Sequence, residues 1–245
     1  MDIVKANAAP RPASTGWDFF DRIYCISLEE REDRRRAAQA QFAKVGLQGK
    51  IEFLIVRRHP LNVEQGIYES HMACLRRGLE AGAGSIAVFE DDVVFDRFDA
   101  GRLARCTRFL AKNPQWQVLL FGALIRSSRK TAEPAVQKVG YQSLAHAYAL
   151  NRHYAESIAY KPWDGVVADV IFRPLEHVYA VKPMFAFQGD MFTDNKYRGL
   201  EIFRRLLGGL ENIQKANEFF YQNLYGIIAA HLIVLASLGL LYLAD

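Results

Sequence analysis

Four short apolar runs, separated by stretches with helical spacing, constrain this chain more than any other feature. They are 22–28 (RIYCISL), 51–56 (IEFLIV), 85–90 (SIAVFE) and 116–121 (WQVLLF). All four are rich in β-branched and aromatic residues, which suit a pleated, half-buried surface. After the first run, Ala37, Ala40 and Phe42 mark a helix that Asp33 is placed to cap and Gly46 to end. A second helix is expected over 67–81, stopped by Gly82 and Gly84, and a third over 99–112. The order β-α-β-α-β-α-β predicts an α/β fold, a mostly parallel sheet with helices on both faces.

Beyond Gly122 the pattern loosens. Segment 127–138 is polar, contains Pro134 and reads as a mobile loop. Runs 144–150, 166–172 and 177–181 are apolar but too short to assign as strand or helix. Helical character returns over 199–223. The expected organisation is a disordered arm over 1–17, an α/β domain over 18–195 and a helical tail over 196–245. At 245 residues this is one large domain or two small ones.

The tail is unlike the rest. Residues 219–244 include no Asp, Glu, Lys or Arg, and 227–243 are apolar except for His231 and Ser237. A spanning helix needs about 20 such residues, with a range of about 17–25. Arg204, Arg205 and Lys215 precede the run, and Tyr221 and Tyr225 stand near its boundary. Basic flanks and interfacial tyrosines favour membrane contact over 226–244, with the domain on the cytoplasmic side of the inner membrane. A spanning and a surface-lying helix both remain open, as does a buried core or dimerisation helix.

Hydrophobic residues at 51% and charged residues at 24% describe a globular chain. The net charge of +4 suits an anionic small ligand or an anionic membrane face, and is too small to argue for nucleic acid. Cys25, Cys74 and Cys106 form no CxxC pair, so neither a zinc site nor a disulfide framework is expected. Residues 1–16 have no apolar secretory core. GxxxxGK[ST], GxGxxG after a strand and GxSxG are all missing, which argues against P-loop, nicotinamide and α/β-hydrolase enzymes.

Chemistry concentrates after the third run. Glu90, Asp91 and Asp92 are consecutive carboxylates at the carboxyl end of a strand, where open α/β sheets bind ligands. Their mutual repulsion calls for a nearby cation, and Mg²⁺ or Mn²⁺ bridging to a diphosphate would supply it. A solvated acidic turn is the alternative. Arg31, Arg34, Arg35 and Arg36 at the first strand-to-helix turn suit phosphate, or else form a solvated face paired with Glu29, Glu30 and Glu32. His71 is a packing residue or a ligand-facing one; His146 and Tyr148 line a sugar or base pocket or belong to a core strand. Asp164, Asp169, Asp190 and Asp194 are candidates for the base that takes an acceptor proton.

Five segments, in order, resemble glycosyltransferase family 25, the lipopolysaccharide and collagen sugar transferases. RIYCISLEEREDRRR is similar to the family's opening, with Arg31, Asp33 and Arg34 matching, Ser27 in place of Asn and Glu30 in place of an arginine. QGIYESHMACLRRG keeps Gly66, Ser70 and His71, and SIAVFEDDVVF matches the Glu-Asp-Asp-Val motif at Glu90 to Val93. LAHAYALNRHYAE keeps Tyr148 and Ala149, and HVYAVKPMFAFQGD keeps Pro183 and Gln188. The resemblance covers about 20–195. It implies a GT-A type fold, a UDP-hexose donor such as UDP-galactose, a divalent metal held by Glu90, Asp91 and Asp92, and inversion at the anomeric carbon. Arg31, Asp33, Arg34, Ser70, His71, Tyr148 and Gln188 would face the donor, with Asp169 or Asp190 as the base. The acceptor would be a glycan or glycolipid of a bacterial-type envelope, such as lipopolysaccharide. Two rivals stand: a metal-dependent phosphohydrolase, and a weakened fold kept as a binding or assembly module.

Overall fold

The computed structural model describes residues 16–189 and 208–244. In chain order the elements are β1 (Arg22–Leu28), α1 (Glu32–Lys44), β2 (Glu52–Val56), α2 (Val63–Glu80), β3 (Ser85–Glu90), β4 (Val93–Phe95) and α3 (Ala100–Ala111). They continue with β5 (Val118–Lys130), β6 (Val136–Asn151), α4 (Arg152–Ile158), β7 (Val178–Val181), β8 (Ala186–Gln188) and α5 (Gly209–Ala244). Six strands form one sheet in the order β2-β1-β3-β6-β5-β7, and β4 pairs with β8 in a separate ribbon. The expected α/β class holds. The sheet is mixed rather than mostly parallel: β1 runs parallel to β2 and β3, β5 to β7, while β6 is antiparallel to both β3 and β5.

Period-two alternation sorts the strand residues into two cores. On one face Cys25, Ala87, Phe89, Leu119 and Phe121 pack with Phe42 of α1 and Leu103 of α3. On the other, Tyr24, Ile86, Val88, Leu120 and Tyr148 pack with Met72 and Leu75 of α2 and Ala155 of α4. Each fully buried aromatic or aliphatic side chain contributes about 1.5–3 kcal/mol. The strands read as continuous apolar runs because both of their faces are covered.

Helix ends differ in detail from expectation. Arg31, not Asp33, occupies the N-cap position of α1, and Asp33 lies in the first turn. Gly46 ends the helix as expected, at φ 75°, with Leu47 N–H donating to the Phe42 carbonyl and Gly46 N–H to Ala43. Helix α2 starts four residues before the expected 67, because the Asn62 side chain accepts from the Gln65 amide and caps it there.

Three larger expectations need correction. The arm expected over 1–17 ends too late: residues 1–15 lie outside the described residues, but Trp17 is fully buried. Its indole N–H donates to the Val45 carbonyl and its ring stacks on Phe98. The loop expected over 127–138 is a paired hairpin joining β5 to β6, with Ser127 opposite Gly140 and Arg129 opposite Lys138. Its outgoing side, from Arg126 to Lys130, is polar and largely exposed, while Ala135, Val136 and Val139 on the returning side are buried. Gly122 sits in a bulged stretch of β5 where a Cβ would lie 1.6 Å from the Ala186 carbonyl oxygen, so only glycine fits. Finally, the tail does not begin as a separate unit. Leu210, Gln214 and Glu218 on the first half of α5 are buried against the domain, and Asn217 exchanges hydrogen bonds with both the amide and the carbonyl of Ile125 in β5. Cys25, Cys74 and Cys106 are free and buried.

Candidate functional site

The chain leaves β1 through α1 to β2 on one side and returns through α2 to β3 on the other. The strand order therefore reverses between β1 and β3, and a crevice opens at their carboxyl ends. A pocket of about 200 Å³ lies there. Its walls come from the end of β1 (Ser27, Leu28), α1 (Arg34), the end of β2 (Arg57, Arg58, His59), α2 (Gly66, Ser70, His71) and the end of β3 (Glu90, Asp91, Asp92), with Gln188 from β8. Gly66 is tight against the chain: a Cβ there would stand 2.7 Å from His59 Cβ.

The three carboxylates have different partners. Arg34 Nη1 lies 3.3 Å from Asp91 Oδ1 and 3.9 Å from Asp92 Oδ2, with side-chain exposures of 7% and 4% for the two aspartates. Gln188 Nε2 donates to Asp92 Oδ2 at 3.1 Å. Asp92 Oδ1 is buried and has no hydrogen-bond partner among the described residues. Glu90 turns instead toward His71, whose Nε2 stands 3.3 Å from its Oε1 at ion-pair distance without hydrogen-bond alignment. His71 Nδ1 meets the Tyr148 hydroxyl at 2.9 Å.

These surroundings separate the carboxyls. Burial, then the charge of Glu90, pushes Asp92 up to about 7. Burial also raises Asp91, against the opposing pull of Ser27 and Arg34. For Glu90, burial acts upward, but its contact with His71 and the nearby His146 and Arg34 outweigh it, and its carboxyl ends below its ordinary value.

Of the residues expected to bind donor, Arg34, Ser70, His71 and Gln188 line the pocket. Ser70 bonds back to the Gly66 carbonyl. Arg31 and Asp33 do not line it; they pair with each other through two bonds of 3.0 and 2.9 Å, and Arg31 holds the Asp33 carboxyl at about 2. Tyr148 is fully buried on β6, so it supports His71 from below rather than contacting a ligand, and His146 is buried beside it. Asp169 is also outside the pocket wall. Its Oδ1 accepts from the Ala145 amide at 3.0 Å, and burial, then Glu90, raises its carboxyl. Asp190 lies outside the described residues. The sequence reading missed Ser27 as a wall residue and the Arg57-Arg58-His59 rim. The rim was findable, since it directly follows an expected parallel strand and strand ends face the crevice.

Among the described residues no three His, Cys, Asp or Glu side chains converge as a metal-binding group. Glu90, Asp91 and Asp92 all line the pocket, with Glu90 paired to His71 and the two aspartates to Arg34. Two carboxylates plus phosphate oxygens are a sufficient donor set for Mg²⁺, and the unpartnered Asp92 Oδ1 fits that chemistry.

No protein-family model matches the chain. A human protein, inactive glycosyltransferase 25 family member 3, is 25% identical over 218 residues, covering 77% of this chain and 34% of that relative. The similarity is to an inactive member of glycosyltransferase family 25. The chain spans about a third of that relative's length. Among solved structures, A197 from STIV aligns over 71% of this chain and 86% of its own at 16% identity and a TM-score of 0.43. UDP-glucose pyrophosphorylase complexed with UDP-glucose aligns over 82% and 81% at 13% identity and 0.41. A glycosyltransferase involved in glycosylation of the major capsid of PBCV-1 aligns over 56% and 62% at 12% identity and 0.34.

Proposed function

We propose that the crevice between β1 and β3 is the donor site of a glycosyltransferase that moves a hexose from a UDP-sugar to a membrane-borne glycan acceptor, with inversion. The observation that carries this reading is the buried Asp91–Asp92 pair, bridged by Arg34, at the point where the strand order reverses. Of the pocket arginines only Arg34 pairs with the acidic wall; Arg57 and Arg58 on the rim pair with Glu29 and Glu30. A diphosphate adds negative charge and needs a further cation. A divalent ion on Asp91 and Asp92 would supply it and neutralise the leaving group.

The chain's own residues divide the remaining work. Arg34, Arg57 and Arg58 present guanidinium forks to phosphate oxygens. Ser27, Ser70 and Gln188 orient hydroxyls of the donor. In the transfer, an acceptor oxygen bonds to the anomeric carbon as the bond to the diphosphate oxygen breaks, and a carboxylate takes the acceptor proton. Of the two candidates for that carboxylate, Asp169 stands outside the pocket wall on the Ala145 amide and Asp190 lies outside the described residues. The apolar half of α5 holds the enzyme at a bilayer, on the cytoplasmic side, where a lipid-linked acceptor is concentrated.

Calorimetric titration of UDP and UDP-hexoses, with and without Mn²⁺, tests the reading. Metal-enhanced binding lost in Asp92→Ala is expected; binding indifferent to Asp92 or no binding by folded protein overturns it. A second reading is favoured by the name of the human relative, which is inactive. In that case the pocket binds donor without turnover, and titration succeeds while transfer to every acceptor fails.

A further inference from the structure

The polar contacts on the docked half of α5 lead to the pocket. Gln214 is 1% exposed, and its Oε1 accepts the backbone N–H of Gln188 at 2.9 Å. Gln188 in turn donates from Nε2 to Asp92 Oδ2, and its neighbour Gly189 donates its amide to the Asp92 carbonyl at 2.8 Å. The ribbon that carries this grip is short, with Val93 of β4 opposite Gln188 of β8. The same helix steadies both ends of the ribbon. Lys215 pairs with Asp96 at 2.7 Å just beyond β4 and lies over the Phe187 ring in β8, and Glu218 accepts the Met184 amide at 2.8 Å just before it.

Packing alone does not explain Gln214. Its Nε2 is buried without a hydrogen-bond partner among the described residues. Burying an unsatisfied amide group costs free energy that an apolar residue of similar volume would avoid. The retained polar function is the acceptor oxygen on the Gln188 amide.

We propose that α5 is a structural part of the donor pocket: Gln214 is a positioning residue that sets Gln188, and through it the Asp92 carboxylate. This deepens, and rests on, the donor-site reading above. The charge-free run begins at Phe219, about 8 Å along the helix axis from Gln214 at 1.5 Å rise per residue. The helix that meets the bilayer thus also shapes the site that meets the donor.

A double-mutant cycle on the full chain in detergent or nanodiscs tests this. Gln214→Met removes the acceptor at similar volume, and Gln214→Ala serves if Met does not fold. In the wild-type background either change weakens UDP binding about fivefold, the worth of one hydrogen bond. In a Gln188→Ala background the same change costs less than about twofold, because the arm it positions is gone. Equal losses in both backgrounds overturn the proposal, since a general loosening would act in both; so does no loss in either. A donor-independent arm separates this proposal from the donor reading. Hydrogen exchange over 186–189 and 90–94 speeds up in Gln214→Met if the chain of contacts holds, and unchanged exchange over 90–94 overturns it. If wild-type protein binds no UDP, the donor reading fails and the exchange result alone decides the positioning role.

Discussion

The two halves of α5 follow opposite rules on one continuous helix of 36 residues. The first half buries polar groups: Gln214 and Glu218 are inside, and Asn217 pairs with a strand backbone. The second half exposes apolar ones, with Ile228, Leu232, Ile233, Val234, Leu235 and Leu238 all open to solvent. In water a core-facing helix shows the reverse, an apolar stripe inward and a polar face outward. The difference separates two tasks. The first half is specified by hydrogen bonds that fix its register on the domain, while the second lacks a polar face altogether. A helix apolar all round suits hydrocarbon on every side, which a one-sided dimer contact would not provide.

The largest effect comes from removing the second half. Deleting 224–245 should abolish flotation with liposomes while leaving the domain folded. The six exposed side chains named above account for about 2–4 kcal/mol of insertion free energy on their own. Undiminished flotation would place membrane contact elsewhere and erase the contrast between the halves.

Glu218 tests the first half. Its carboxylate accepts from the Met184 amide and pairs with Arg97 at 3.1 Å. Glu218→Ala leaves that amide buried without a partner and should cost about 2–3 kcal/mol in urea unfolding. A loss below about 0.5 kcal/mol would mean that polar docking does not hold the helix.

The same group sets a pH dependence. Burial raises the Glu218 carboxyl above its ordinary 4.5, against the opposing pull of Met184 and Arg97. The folded state therefore binds this proton more tightly than the unfolded chain. Its contribution is fully present below the ordinary carboxylate value and is lost as pH rises through the raised one. Asp92, Asp91 and Asp169 slope the same way, so the measurement is a difference: wild type should lose stability relative to Glu218→Gln as pH rises from about 4 to about 8. A pH-independent difference would show that Glu218 is not the titrating group.

What was legible in the sequence follows from range. The β1–α1–β2–α2–β3 half is built from local signals, namely alternating runs, a glycine stop and a strand-end acidic motif, and it was readable. The β5–β6 hairpin was not, because Ser127, Arg129 and Lys138 carry no apolar period; cross-strand pairing holds them, with Ser127 Oγ accepting from the Gly140 amide. The acidic triplet was visible, but its division was hidden. Arg34 lies 57 residues from Asp91, and Gln188 lies 96 from Asp92. Only the fold decides that Glu90 faces His71 while its neighbours face Arg34. Trp17 was lost to the arm because the short Trp17, Phe19, Phe20 cluster, broken by Asp18 and Asp21, carries no helical or strand period. The docking of α5 on the domain was hidden for the complementary reason: apart from Leu210 its buried side chains include the polar Gln214 and Glu218, which a hydrophobic pattern cannot detect.

The smallest expected effect is also the sharpest control on the contrast. Tyr225 is 85% exposed at the start of the apolar half. An exposed side chain has little folded-state contact to lose, so Tyr225→Ser should change urea unfolding by less than about 0.5 kcal/mol. If the apolar half meets a bilayer as proposed, the ring would sit at the lipid interface, where an aromatic body and a hydroxyl meet different surroundings. The same substitution should therefore weaken liposome binding measurably while leaving stability untouched, the reverse of what Glu218→Ala does about two turns away. A Tyr225→Ser variant that unfolds more easily but binds liposomes normally would mean that the outer half packs on the domain in solution. The boundary between the halves would then lie beyond Tyr225, and the docked register would extend toward the bilayer.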